Sequence, residues 1–234
     1  MPTNLTIPAL DGEGTIPAYC ARPEAAPHAA IIVIPEIFGV NEGIRAKCDA
    51  WAWAEQGYLA IAPDIFWRFA PGSELDPDKP DEFQQAIANM MKYSADDGVK
   101  DIEAIARYCR REEGVAKVGV VGFCLGGRLA YMAATRTDVD ASVGYYGVMI
   151  DQMLGEAHAI ARPLLLHIPT ADHFVGPDAQ LAMHQALDPN PKVTLYDYPG
   201  LDHGFAASSG SRRDEEGAQL ADRRTRDFFA VNLA

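Results

Sequence analysis

Hydrophobic positions along this chain group into short strand-like runs that alternate with helix-like stretches from residue 29 onward. Before that point, LTIPAL and TIPAYCAR read as two short strands. The turn between them, Asp11-Gly12-Glu13-Gly14, has glycines that tolerate positive φ, so an antiparallel pair at a sheet edge is expected. The later runs AAIIVIP, LAIAPDI, AKVGVVGF, ASVGYYG, PLLLHIP and VTLYDYP are nearly continuous in apolar residues. Such runs suit strands buried on both faces. Between them lie helix-like stretches from about Glu42 to Gln56, in GGRLAYMAATR and in AQLAMHQAL, and a last amphipathic helix spans about Asp214 to Asn232. Strands alternating with helices predict an α/β fold, a mostly parallel central sheet with helices on both faces.

The segment FWRFAPGSELDPDKP, Phe66 to Pro80, has turn residues and acids without a sustained period. It predicts a surface loop, with a helix near Asp81 to Tyr93 after it. No repeat, Ser/Gly-rich linker or insertion long enough for a separate lid interrupts the pattern, so one domain over 1–234 is expected.

Charge and cysteine usage narrow the partners. Twenty basic against 33 acidic side chains give a formal charge of −13, which disfavours a phosphate backbone as ligand. The longest apolar run, Ala29 to Ile34, is far below the ~20 residues that cross a bilayer. The opening MPTNLTIPAL has neither a basic nor an apolar leader region, so a cytoplasmic protein is expected. Cys20, Cys48, Cys109 and Cys124 form no CxxC pair and have no histidines at ligand spacing; reduced thiols and no metal are expected. Cys48 and Cys109 lie in helix-like stretches as small buried hydrophobes.

Cys124 stands apart. The segment VGVVGFCLGG, Val118 to Gly127, runs from a buried-type strand through G-x-C-x-G-G into a helix-forming stretch, the pattern of a nucleophile elbow with cysteine in the serine place. A chance glycine-rich turn around a structural cysteine is the competing reading, and the flanking strand and helix count against it. Gly122 and Gly126 fit where strand and helix crowd each other, and the sharp turn lifts the thiol clear of the sheet. The helix N-terminus favours the thiolate form, and the Leu125 N–H is free to hold an oxyanion. An acid and a histidine must follow in that order. Asp172 follows PLLLHIP and His203 follows VTLYDYP, both at the strand ends where α/β sheets carry their chemistry. His173 and Asp202 are their immediate neighbours; His173 is given a structural or pocket-lining role, because a base there would precede the acid. His167, inside an apolar strand, is expected to be a hydrogen-bonded core residue, and His28, His158 and His184 carry no signal. Glu36 ends the most hydrophobic strand. Its loop is the usual source of the second oxyanion N–H, here Ile37, and a carboxylate there is placed to accept the thiol proton.

PEIFGVNEGIR, APDIFWR, VGVVGFCLGGRLAYMAA, the strand from Ser142 to Gly147, Asp172-His173-Phe174-Val175 and Asp202-His203-Gly204-Phe205 together resemble the dienelactone hydrolase family over nearly the whole length. The resemblance implies an α/β-hydrolase fold of carboxymethylenebutenolidase type with a Cys-His-Asp triad and no cofactor. It implies that Cys124 attacks a lactone or ester carbonyl supported by His203 and Asp172, that Glu36 controls thiol ionisation, and that the Leu125 and Ile37 amides form the oxyanion hole. Phe38, Phe83, Tyr145, Phe174, Phe205 and Ala207 are the candidate pocket residues.

Members that cleave dienelactone hold the substrate carboxylate with two arginines. Here Pro80 to Gln85 and Gly204 to Ser208 contain none, so a more neutral or larger small-molecule substrate is expected. Arg68, Arg212 and Arg213 are the arginines near enough in sequence to matter. A carboxylesterase or thioesterase on the same fold, or a silent thiol-sensing or ligand-binding protein, are the alternatives; a monomer or small homo-oligomer fits equally.

Overall fold

The computed structural model describes residues 3–53, 57–208 and 210–234. Eight strands form a single sheet in the order β1-β2-β4-β3-β5-β6-β7-β8. β1 (Leu5–Pro8) pairs antiparallel with β2 (Thr15–Ala21), and β2 pairs antiparallel with β4 (Leu59–Pro63). The remaining neighbours are parallel: β3 (Ala29–Ile34), β5 (Lys117–Phe123), β6 (Ala141–Tyr145), β7 (Leu164–Pro169) and β8 (Val193–Tyr198), with β3 also parallel to β4. The predicted mixed sheet with an antiparallel N-terminal edge is thus the one observed.

Helices cover both faces, and side-chain alternation along β3 shows how. Ala29, Ile31 and Val33 pack with residues of α1 (Glu42–Trp53) and α6 (Glu215–Asn232), including Ile44, Cys48 and Phe229. Ala30, Ile32 and Ile34 pack on the other side with α3 (Ala95–Glu112) and α4 (Leu125–Arg136), including Ile105 and Leu129. A strand apolar at every position is the result of two such cores.

Residues 54–56 of the helix expected from Glu42 to Gln56, and the first two residues of the opening stretch, lie outside the described residues. α2 (Pro80–Lys92) begins with proline, which presets the backbone and needs no N–H at that position. α3 is longer than the Cys109 stretch suggested, and Ser94 caps it by accepting the Asp97 N–H at 3.3 Å. A 3-10 segment, Asp151–Ala159, has no counterpart in the sequence pattern. α5 (Pro177–Leu187) and α6 fall where the periodicity placed them.

After β3 the chain turns to β4 on one side and then returns to lay β5 on the other. Such a reversal opens a crevice at the strand C-termini. Glu36 and Ile37 leave β3 there, and Cys124 leaves β5 beside them.

Candidate active site

Cys124 occupies the elbow with φ 56° and ψ −113°, a conformation costly for any side chain and sustained only by its surroundings. Its N–H donates to the Tyr145 carbonyl at 3.0 Å, and its own carbonyl accepts the Arg128 N–H at 3.1 Å. Close approach explains the flanking glycines. A Cβ on Gly122 would sit 1.9 Å from the Gly126 carbonyl oxygen, and one on Gly126 would sit 2.4 Å from the Ile34 oxygen. Both contacts are with backbone, so neither position has room for a side chain. Leu125 opens α4, and its N–H, like every first-turn N–H, lacks an intrahelical acceptor.

The acids and histidines of the two loops pair crosswise. His203 Nδ1 and Asp172 Oδ2 are 2.9 Å apart with both side chains buried, while His173 Nδ1 and Asp202 Oδ1 are 2.8 Å apart and exposed. Asp172 Oδ1 also accepts the N–H groups of Phe174 (2.8 Å) and Val175 (3.1 Å), which fixes the carboxylate by its own loop. Burial alone would push the His203 pKa down; the charge of Cys124 and the bond to Asp172 raise it from 6.5 to about 10. Nε2 of His203 is buried and makes no further hydrogen bond among the described residues. Such an imidazole can give a proton to a departing oxygen and take one from water. Phe174, half exposed, lies edge-on to His203 at 4.8 Å, and Tyr146 does so from the opposite loop at 4.9 Å.

Glu36 is buried at the start of the turn after β3, with its Oε1 unpartnered and its Oε2 3.8 Å from Arg212 Nη2. Arg212 arrives from the segment before α6, over Gly204 and 5.7 Å from the Phe38 ring centre. Arg68 is engaged elsewhere, bonded to Asp101 and Asp11, and Arg213 pairs with Glu215 at 2.8 Å.

The pocket candidates separate into three groups. Phe38 touches Phe83 at 5.9 Å beside the Glu36 turn, Phe174 stands over His203, and Ala207 lines a small cavity next to Glu36. Tyr145 is a correction: its hydroxyl binds Asp222 and Thr225 of α6, because strand alternation turns it to the α1/α6 face of the sheet. Phe205 is a second correction, since it is buried against Tyr198 and Tyr146 as support for the site. The sequence reading missed Tyr146, whose φ of 39° at the end of β6 aims it at His203 and Glu36. His167 is hydrogen-bonded to Tyr198 and Thr225 in the core, as expected. Among the described residues, Asp172, His173 and Asp202 are the group whose donor atoms gather within metal-binding reach. Those oxygens already accept bonds from both imidazoles and from backbone N–H groups.

A doubly covered, mostly parallel sheet with a cysteine elbow between β5 and α4 defines an α/β-hydrolase fold. The model of the dienelactone hydrolase family matches residues 16–233, and the chain belongs to that family. A protein of Azospirillum brasilense, provisionally named a carboxymethylenebutenolidase, is 41% identical, the match covering 99% of each chain. The carboxymethylenebutenolidase of Pseudomonas putida is 37% identical, with 97% of this chain and 95% of that one covered. A crystal structure from Klebsiella pneumoniae subsp. pneumoniae MGH 78578, provisionally named a dienelactone hydrolase, superposes with TM-score 0.82 at 30% identity, covering 97% of this chain and 99% of that one.

Proposed function

We propose that the protein is a cysteine-dependent hydrolase of a lactone or carboxylic ester that works through a thioester acyl-enzyme. The observation that carries this reading is the strained Cys124 elbow beside a buried His203 whose other nitrogen is held by Asp172. Thiolate adds to the carbonyl, the amides of Leu125 and Ile37 receive the developing oxyanion, and collapse expels the alcohol or enol, its oxygen taking the proton of the charged His203 ring. His203 then takes a proton from water, which attacks the thioester and regenerates the thiol. Glu36, buried next to this centre, takes the thiol proton on activation. Good leaving groups such as enols are favoured.

With no arginine at the two positions where dienelactone-cleaving members place them, the substrate is more neutral or larger than dienelactone and less dependent on a carboxylate handle. A second reading, an acidic substrate, is favoured by one observation: Arg212 Nη2 is buried beside Glu36 without a hydrogen bond. Acid-quenched mass spectrometry with a slow ester tests the mechanism. The acyl mass is expected on the peptide holding Cys124, and an unmodified Cys124 during turnover contradicts it. Relative rates on a dienelactone and on its uncharged methyl ester decide the substrate class; a strong preference for the free acid selects the second reading.

A further inference from the structure

The Asp172 carboxylate is set by the turn that carries it, and that turn is tied at both ends to one side chain of α5. Pro169 closes β7 before the turn, Val175 ends the turn before α5, and the carbonyls of both accept hydrogen bonds from Nε2 of Gln180, at 3.1 and 2.6 Å. Gln180 is buried near the start of α5. Because both partners are acceptors, its amide must present the NH2 to them, one hydrogen to each. The Pro169 carbonyl also accepts the Asp172 N–H at 3.3 Å. Val175 completes the link: Gln180 holds its carbonyl, while its N–H donates to Asp172 Oδ1 at 3.1 Å. On the other side of that carboxylate, Oδ2 lies 2.9 Å from His203 Nδ1. Packing does not fill the space beside the turn. A cavity of about 10 Å³, room for about one water, is lined there by Tyr146, Pro169, Asp172, Val175 and Met183, among others.

Resting on the thiol-hydrolase reading above, we infer that Gln180 is a positioning residue for that reaction: by tying Pro169 to Val175 it holds the Asp172 carboxylate against His203 Nδ1 and so keeps the ring set for proton transfer. Without the two donors the Val175 carbonyl loses its partner, and a buried carbonyl in that position moves toward another donor or toward water. Its own N–H, one of the two that fix Asp172 Oδ1, moves with it. Gln180 carries no charge, so its influence on His203 passes through the place of the Asp172 carboxylate. Burial pulls the His203 pKa down, the charge of Cys124 pulls it up, and the bond to Asp172 adds to the rise. A carboxylate that slips away gives part of that rise back, so the pKa falls. The titratable groups facing His203 are Cys124 at the elbow, Asp172 and His173 from the turn after β7, Tyr146 beyond β6 and its own neighbour Asp202, with Arg212 packed over Gly204 beside it.

The test follows kcat/KM between pH 6 and 10.5 for phenyl acetate, whose leaving oxygen is basic enough to need the proton of the charged ring. It compares the wild type with Gln180→Met and Cys124→Ala. Methionine has the unbranched length of glutamine and no donor; Gln180→Asn, its amide drawn back by one methylene, takes its place if that variant fails to fold. The basic limb of this profile reports the ring in the free enzyme. Loss of the Gln180 donors is expected to lower the plateau several-fold and to move the basic limb down by about one pH unit. An unmoved limb, whether the plateau holds or drops, overturns the role of Gln180 while a silent Cys124→Ala leaves the nucleophile standing. Activity surviving in Cys124→Ala overturns the nucleophile and this inference with it.

Discussion

Replacing Asp172 with asparagine keeps the volume of a buried side chain and removes its charge. Three hydrogen bonds converge on that carboxylate: two backbone N–H groups on Oδ1 and His203 on Oδ2. An amide has one carbonyl oxygen. If it keeps the backbone donors, its NH2 faces His203 Nδ1 and forces the ring proton onto Nε2, the nitrogen that must take the proton from water. The raised His203 pKa shows which form Asp172 favours. A lift from 6.5 to about 10 corresponds to about 5 kcal/mol favouring the charged ring, shared between Cys124 and Asp172. Losing a charge-assisted hydrogen bond removes about 1.5–3 kcal/mol of it, and the wrong tautomer lowers turnover by about 10³–10⁴-fold, as in serine triads. Because the folded-state pKa lies above the unfolded one, the linked stability is full below pH 6.5 and fades as the pH rises through about 10. Urea denaturation at pH 6.5 and at pH 10, beside steady-state rates, reads both effects. Asp172→Asn should show a flatter loss of stability over that interval. Turnover within tenfold of the wild type, or an unchanged pH dependence of stability, would refute the reasoning.

Other outcomes follow from the same geometry. Gly126→Ala should cost about 1–3 kcal/mol or more, because its methyl meets the Ile34 and Pro35 carbonyls, and chemical denaturation would reveal a tolerant site instead. Burial raises the thiols of Cys20 to about 11 and Cys109 to about 12, and that of Cys48 well up. One equivalent of iodoacetamide at pH 7 should therefore label Cys124 alone, and peptide mapping that finds the label spread over all four contradicts the site assignment. Phe174→Ala removes a half-exposed ring from the edge of His203. It should alter KM and kcat several-fold with stability within about 1 kcal/mol, and unchanged kinetics would take Phe174 out of the pocket. Arg212→Ala should slow hydrolysis of an acidic ester by about ten- to a hundredfold relative to its methyl ester if the substrate is anionic; equal losses on both assign the arginine to Glu36 alone.

Much of this was legible because it is written in local sequence. The apolar runs announce strands with a core on each face, and Gly122 and Gly126 mark a contact so close that no other residue fits. The order Cys124, Asp172, His203 could be read from strand ends. The crosswise pairing of Asp172 with His203 and of His173 with Asp202 depends on the two loops meeting across the strand ends. What stayed hidden depends on long-range return of the chain. Arg212 reaches Glu36 only because the segment before α6 folds back over Gly204, and Lys47 stands over the Phe123 ring only because α1 packs behind the elbow. Tyr145 and Tyr146 differ by one step of strand parity, and a left-handed φ at Tyr146 decides which of them meets the site. The 3-10 segment at Asp151–Ala159 buries no residue fully, so it leaves no apolar period to read.

The most direct measurement is rapid-mixing hydrolysis of p-nitrophenyl acetate by the wild type and by Cys124→Ala. The account predicts a burst of about one equivalent of p-nitrophenol in the wild type, followed by slower turnover, and neither phase in the variant. Equal slow rates in both proteins would contradict an acylated Cys124 and turn attention to a ligand-binding or thiol-sensing role for the same pocket.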